Sequence, residues 1–316
     1  MITDPVDLSA LFLAFSLLMY VLLDGTDLGV GMLFVFFPGH NDRQRMAASI
    51  LPIWDANETW LVLLGGGMLS LFPEAYGRLL SGLYLPLFLM LLALIIRAVA
   101  LEYRSEASAR QRSRLDVIFF ISSSLVAFSQ GALAGNILTG VHTGGAFSWM
   151  SPFALLCGVM VMVGYLLMGC CWIRWRLQDG AGEHASRLAF LFLVMLIVII
   201  VFLCLLLPTP LIAVWGRTGG KILLVTTIII TVFILFFLYG EKPVAPLIAV
   251  LMLISSLMGA AMLAIYPWFI PNELSLAQAA APAASQYFVL TAAAVIIPLT
   301  LIYNSWAFWV FRGKVR

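Results

Sequence analysis

The stretch IWDANETWLVLLGGGMLSL, Ile53–Leu71, decides how this chain is read. Asp55 and Glu58 stand one helical turn apart between Trp54 and Trp60, and the apolar, glycine-rich run that follows carries no further charge before Glu74. A soluble protein has little use for two carboxylates at the mouth of such a run. In a bilayer, each ionised acid near the centre costs roughly 2.5–3.5 kcal/mol on insertion scales, so acids kept there point to function. Upstream, DGTDLGVG (Asp24–Gly31) places Asp24 and Asp27 in another apolar run, again three residues apart.

Composition sets the class. The 316 residues are 63% hydrophobic and 10% charged, with a mean hydropathy of +1.07; globular domains carry about 25% charged residues. Too little polar surface remains to coat a water-soluble protein, so the chain reads as an all-α integral membrane protein. A net charge of +2 gives no basis for a nucleic-acid partner. The opening residues MITDPVD lack the basic region of a signal peptide, so the first apolar run is expected to be a retained span. Cys157, Cys170, Cys171 and Cys204 all lie in apolar runs without metal-type spacing and read as buried structural thiols.

A transmembrane helix needs about 20 mostly apolar residues. Nine segments qualify, over residues 8–37, 52–72, 79–101, 115–138, 152–172, 188–207, 222–239, 244–266 and 287–311. The connections are short, and the longest is Pro267–Gln286. Thirteen Lys and Arg residues fall on one side of these spans, against Arg78, Arg217 and Lys221 on the other. The positive-inside rule then places the N-terminus outside and the C-terminus in the cytoplasm. Tyr20–Leu23 before Asp24–Gly25 is faintly echoed by Tyr165–Leu167 before Met168–Gly169. That echo suggests two four-helix bundles plus one peripheral helix.

Depth joins the acids. At 1.5 Å per residue, Asp24 lies just past the centre of the first span and Asp27 about 4–5 Å beyond it. In the second span, Glu58 and Asp55 lie about 6 and 10 Å to the cytoplasmic side of centre. Each pair shares a helix face, and adjacent antiparallel helices would bring the faces together. Asn57, Thr26 and Thr59 add hydrogen-bonding groups. The functional reading is a proton or ion path entered from the cytoplasm; the structural one is static hydrogen bonding, with Asp55 capping its helix. Arg97, inside the third span, either snorkels to the cytoplasmic face or serves as counter-ion to the acids. Glu102 and Arg104 read as solvated, and all buried acids are expected in two adjacent helices.

Gly25xxxGly29 and Gly131xxxGly135 read as close helix contacts, and Gly65–Gly67 as a packing or partner-facing surface. In the fourth span, Ser122, Ser123, Ser124 and Ser129 are expected to bond back to their own helix, and Gln130 and Asn136 to bond neighbours. His40, His142 and His184 all fall in expected loops, so no span offers a histidine as a heme ligand, and scattered loop histidines do not suit a metal centre.

DGTDLGVG followed by PIWDANETWLVLLGGGMLSLFPEAY (Pro52–Tyr76) resembles the signature of subunit II of the cytochrome bd quinol oxidases, DG-aromatic-DLGxG and WDGNExWLxxxGGxxFxxFPxxY. RAVALEYR (Arg97–Arg104), Gly135–Asn136 and YNSWAFWVFRGKV (Tyr303–Val315) extend the match. Within the family the chain looks closest to the cyanide-insensitive branch. Thr26 stands where the pattern has an aromatic and Ala56 where it has Gly; neither change removes a titratable group.

The resemblance implies a heme-free, nine-span subunit paired with a homologous subunit I that holds two b-type hemes and heme d. It implies quinol and dioxygen as substrates of the complex, the bacterial cytoplasmic membrane as its location, and room for a small single-span accessory subunit. Some members also hold a structural quinone. The implied role here is to stabilise subunit I and help form a proton path, with Asp55 the first carrier, Asp24 the second and Glu58 the third, and Trp54 beside them in the motif. A proton-coupled secondary transporter is the competing reading, although its site should draw polar groups from both halves of the chain.

Overall fold

A computed structural model describes residues 4–140, 145, 147–177, 180–206, 216, 218–238, 240–311 and 313. His142, Trp215, Arg217, Arg312, Lys314 and Arg316 lie outside the described residues. The helices are α1 (Pro5–Leu33), α2 (His40–Ile50), α3 (Trp54–Leu71), α4 (Pro73–Gly82), α5 (Tyr84–Tyr103), α6 (Ala109–Thr139), α7 (Pro152–Arg176), α8 (Gly180–Leu206), α9 (Thr218–Leu238), α10 (Ala245–Ile265), α11 (Leu276–Ala279) and α12 (Ala283–Val310). Eight of them are long and apolar enough to cross a membrane: α1 with its closing 3-10 turn, α5, α6, α7, α8, α9, α10 and α12. The eighteen-residue α3 is not among them, because its first turns hold Asp55, Asn57 and Glu58.

The helix starts follow local chemistry. Asp4 caps α1 by accepting the Val6 N–H at 3.0 Å, with Pro5 in the first turn. Ser151 caps α7 ahead of Pro152 in the same way, and Ser108 with Gln111 forms a capping box at α6. Observed helices run past the apolar segments: α6 begins at Ala109 and α8 at Gly180, because polar turns continue the helix beyond the hydrocarbon. The short α2 and α4 were not expected from hydropathy, since both are too polar or too brief to read as spans. The Pro267–Gln286 connection folds into an antiparallel pair, β1 (Trp268–Ile270) and β2 (Leu274–Ser275), followed by α11. It docks on the end of α3, where the Ala281 N–H donates to the Leu71 carbonyl at 2.8 Å.

Helix α1 is the hub, packing against α3, α6, α7, α10 and α12. Its contact with α7 is backbone on backbone. A Cβ built on Gly29 would stand 1.9 Å from the Tyr165 carbonyl oxygen, and one on Gly169 would stand 2.5 Å from the Gly29 carbonyl carbon. Gly25 meets the Tyr165 ring, so the two helices run parallel through the segments that echo each other in sequence. Gly131 and Gly135 do the same for α6 against Cys157 and Ala154 of α7. Both small-xxx-small patterns are therefore helix contacts, as expected. Of the glycine run, Gly67 packs on Phe12, whereas Gly65 and Gly66 meet nothing.

Several expectations are corrected. Cys157, Cys170 and Cys171 are buried, but Cys204 is exposed on the apolar outer face of α8. Arg104 is not solvated: its Nε donates to Asp116 Oδ1 at 2.6 Å, and Arg43 reaches Asp116 Oδ2 at 3.3 Å from α2. Asp116 is thus a buried acid on a third helix, α6, between two arginines. His184 lies in the first turns of α8 rather than in a loop, facing the Phe36 carbonyl at 3.1 Å.

Replacing Gly29 with Ala is expected to force α1 and α7 apart, because the atom it would strike is backbone. The purified protein should lose most of its folded yield or unfold several degrees lower. Gly259→Ala, on α10 with open space around it, should leave the thermal midpoint unchanged.

Candidate functional site

Three helices bring a guanidinium and three carboxylates together inside the protein. Arg97 is fully buried on α5. Its Nη2 donates to Asp24 Oδ1 on α1 at 2.8 Å and to Glu58 Oε1 on α3 at 2.7 Å. Asp24 is also fully buried, while Glu58 keeps 26% of its side chain exposed. One turn along α1, Asp27 accepts from Asn57 Nδ2 at 2.7 Å. Trp54 stands 6.0 Å below the Arg97 guanidinium, and its indole N–H donates to Glu102 Oε1 at 3.1 Å.

The sequence patterns explain this convergence. Asp24 and Asp27 share one face of α1, and Asn57 and Glu58 fall on the side of α3 that meets it. The antiparallel contact is pinned further along by Gly67 against Phe12 and Leu13. The two acid pairs thus meet at matched depth. Arg97 does not snorkel: it is buried and paired with Asp24 and Glu58. Thr26 only bonds back to the Leu22 carbonyl. Asp55 is exposed at the first turn of α3, whose N-cap residue is Ile53 and has no side-chain cap bond.

Charge and hydrogen bonding in the cluster are unbalanced. One guanidinium faces Asp24, Asp27 and Glu58, so the group is electrically neutral only when it carries protons. Buried Asp24 Oδ2, Asp27 Oδ1, Asn57 Oδ1, and Arg97 Nε and Nη1 have no partner among the described protein atoms. Buried polar atoms of this sort normally bind ordered water. The site therefore has acids in series, a fixed cation and sites for water, with its exposed mouth at Asp55 and Glu58. Those are the parts a proton needs to move stepwise.

Sequence reasoning missed the residues that surround Asp24 on its outer side. Gln130 of α6 donates from Nε2 to the Tyr20 hydroxyl at 2.8 Å and accepts from the Tyr165 hydroxyl at 2.6 Å. Gln130 does bond neighbouring helices, as expected; the signal not used was the pair of echoing tyrosines. Asn136 bonds its own helix at the Ala132 carbonyl and the Trp149 carbonyl before α7, and Ser122 and Ser124 bond back to their own helix.

A model of the family described as cytochrome bd terminal oxidase subunit II matches residues 6–311. The chain belongs to that family. Over 171 residues it is 35% identical to the cytochrome bd-I ubiquinol oxidase subunit 2 of Escherichia coli K12, covering 50% of this chain and 45% of that one. Over 193 residues it is 30% identical to the cytochrome bd ubiquinol oxidase subunit 2 of Bacillus subtilis 168, covering 58% and 57%. The chain thus spans about half the length of the curated relatives it matches. Its fold is that of a chain in the bd oxidase from Geobacillus thermodenitrificans, with a TM-score of 0.83 at 16% identity over 96% of this chain and 98% of that one. A subunit II of this family, with eight such helices, is a multi-pass protein of the bacterial cytoplasmic membrane.

Arg97→Met should leave Asp24 and Glu58 without their cation. Breaking one side of a buried pair costs about 3–5 kcal/mol, so the thermal midpoint should fall sharply. Adding Asp24→Asn to Arg97→Met should recover part of that loss.

Proposed function

We propose that this chain is the heme-free subunit II of a cytochrome bd-type quinol:dioxygen oxidoreductase. It stabilises a heme-bearing subunit I and carries cytoplasmic protons toward the site where oxygen is reduced to water. The observation that supports this best is the Arg97-centred acid cluster, closed by burial on one side and open at Asp55 and Glu58 on the other. Asp55 is the proton entry, Glu58 the next acid, and Asp24 and Asp27 the inner ones. Trp54 and Asn57 hold the geometry.

The outward stripe of α3, Asp55, Thr59, Val62, Gly66 and Ser70, recurs at helical spacing and is exposed. With Gly65 and Gly66 open it is smooth enough for a partner helix to approach closely. This is the face we assign to subunit I. Heme b and heme d belong to that partner in this reading. His40 and His184 are both exposed and stand at the starts of α2 and α8, which does not suit an axial ligand projecting into a bundle. The substrates of the complex are quinol and dioxygen.

In the membrane, α3 makes the ninth span. Its eighteen residues reach about 27 Å, and its polar first turns are matched by α1 and α5. Arg43, Arg104, Arg174 and Arg176 gather at the end where Arg176 binds the Phe311 carbonyl and Arg174 the carbonyls of Leu238 and Gly240. That end is cytoplasmic by the positive-inside rule, and the N-terminus is outside. In this reading α12 is the peripheral span, packed on α1 and α3. A transporter is the weaker reading, because the acids of the cluster all come from α1 and α3 and α7–α12 add none to it.

Asp55→Asn is expected to slow quinol-driven oxygen consumption by the purified complex at least tenfold while leaving its reduced-minus-oxidised heme spectrum intact. Unchanged turnover would remove Asp55 from the path. Loss of heme together with activity would make its role structural.

A further inference from the structure

Tyr20, Gln130 and Tyr165 lie outside the proton path proposed above, yet they touch one of its acids through an ordered chain. Tyr20 and Tyr165 are each 2% exposed, on α1 and α7, and Gln130 bridges them from α6. A primary amide has a donor end and an acceptor end. Here the acceptor end takes the Tyr165 proton, and the donor end is given to the Tyr20 oxygen. The Tyr20 oxygen is thereby used as an acceptor, and its own proton must be donated onward. One helical turn along α1 stands Asp24, on the same face. Asp24 Oδ2 is buried beside Tyr20 and has no hydrogen-bond partner among the described protein atoms.

The opposite amide orientation would have Tyr20 donating to Gln130 and would leave Asp24 Oδ2 with no donor from the protein. The orientation with Tyr20 free to donate is the one that lets the protein itself satisfy the buried carboxylate. A Tyr20 proton turned toward Oδ2 would complete the carboxylate that Arg97 already bonds at Oδ1.

We propose that Tyr165, Gln130 and Tyr20 form a directed chain of hydrogen bonds that ends on Asp24 and holds it as the fixed carboxylate partner of Arg97. They are positioning residues. Asp24 is thereby the acid of the path whose carboxylate is held in one orientation; those of Asp55, Glu58 and Asp27 lack this double anchorage. The chain also explains the faint repeat: the two echoing tyrosines meet at one glutamine, where Gly25 lets the Tyr165 ring approach α1. The titratable and charged groups facing Asp24 are Tyr20 and Asp27 on its own helix, Glu58 on α3, Arg97 on α5 and Tyr165 on α7. α6 faces it with neutral Gln130.

The assignment of Asp24 rests on the proton-path reading, so the test separates the two. The first arm is a double-mutant cycle in the purified oxidase complex between Tyr165→Phe and Asp24→Asn, read as thermal midpoints. Tyr165 makes no hydrogen bond to Asp24, so independent sites would add. The chain predicts that the Tyr165→Phe shift falls by more than half in the Asp24→Asn background; additive shifts overturn it. Should the Asp24→Asn complex fail to assemble, the pH profile of the second arm decides.

The second arm is the pH profile of quinol-driven oxygen consumption. Tyr165→Phe should displace its midpoint by about half a pH unit or more, with heme content unchanged. Where Asp55→Asn slows turnover, an unmoved Tyr165→Phe profile overturns the positioning role. Unslowed Asp55→Asn turnover overturns the path instead, and the cycle still decides the chain.

Discussion

The contact on which the structure depends is the buried guanidinium of Arg97. A charge of this size is tolerated inside a membrane protein only when it is paired. Arg97 meets two carboxylates from two other helices through a single nitrogen. That fixes the rotation of α1 and α3 against α5. Asp27 and Asn57 add a second polar contact one turn along. The acids that look costly in sequence are therefore part of the reason these helices have only one way to pack. The same pairing leaves three carboxylates around one guanidinium, so the group is short of positive charge.

Glycine is the other constraint, and it acts through distance rather than charge. Without a hydrophobic drive between helices in lipid, close approach carries the association. Gly29 and Gly169 bring α1 and α7 to backbone contact, Gly25 admits the Tyr165 ring, and Gly131, Gly135 and Gly158 bring α6 and α7 together. Only at that separation do Tyr20, Gln130 and Tyr165 reach one another. The glycine seam thus sets the outer boundary of the acid site, and Arg97 sets the inner one. α3 belongs to both, packed on α1 through Gly67 and presenting Asp55 and Gly66 outward.

The end of the bundle where Arg43, Arg104 and Arg176 gather repeats the logic with different groups. Asp116 lies between Arg104 and Arg43, and Arg104 also stands 5.4 Å over the Phe34 ring. Arg176 sits between Trp172 and Trp175, each 5.5 Å away, and holds the end of α12. These arginines were legible by number as a bias of positive charge to one side of the spans. Their burial was not, because hydropathy treats a charge near a span end as solvated whether or not a partner waits there.

The sequence by itself determined the membrane class, the family, most of the helices, the two acid pairs and the glycine contacts. Each of these is local: a run of apolar residues, a spacing of three or four, or a motif read in order. It left open whether Arg97 snorkels or pairs, and it did not suggest that Tyr20, Gln130 and Tyr165 form one chain or that Asp116 is buried. Those facts join positions 73 residues apart for Arg97 and Asp24, and 110 for Gln130 and Tyr20. Only the tertiary structure decided them, because a long-range contact depends on the rotation and separation of whole helices, which no local pattern specifies.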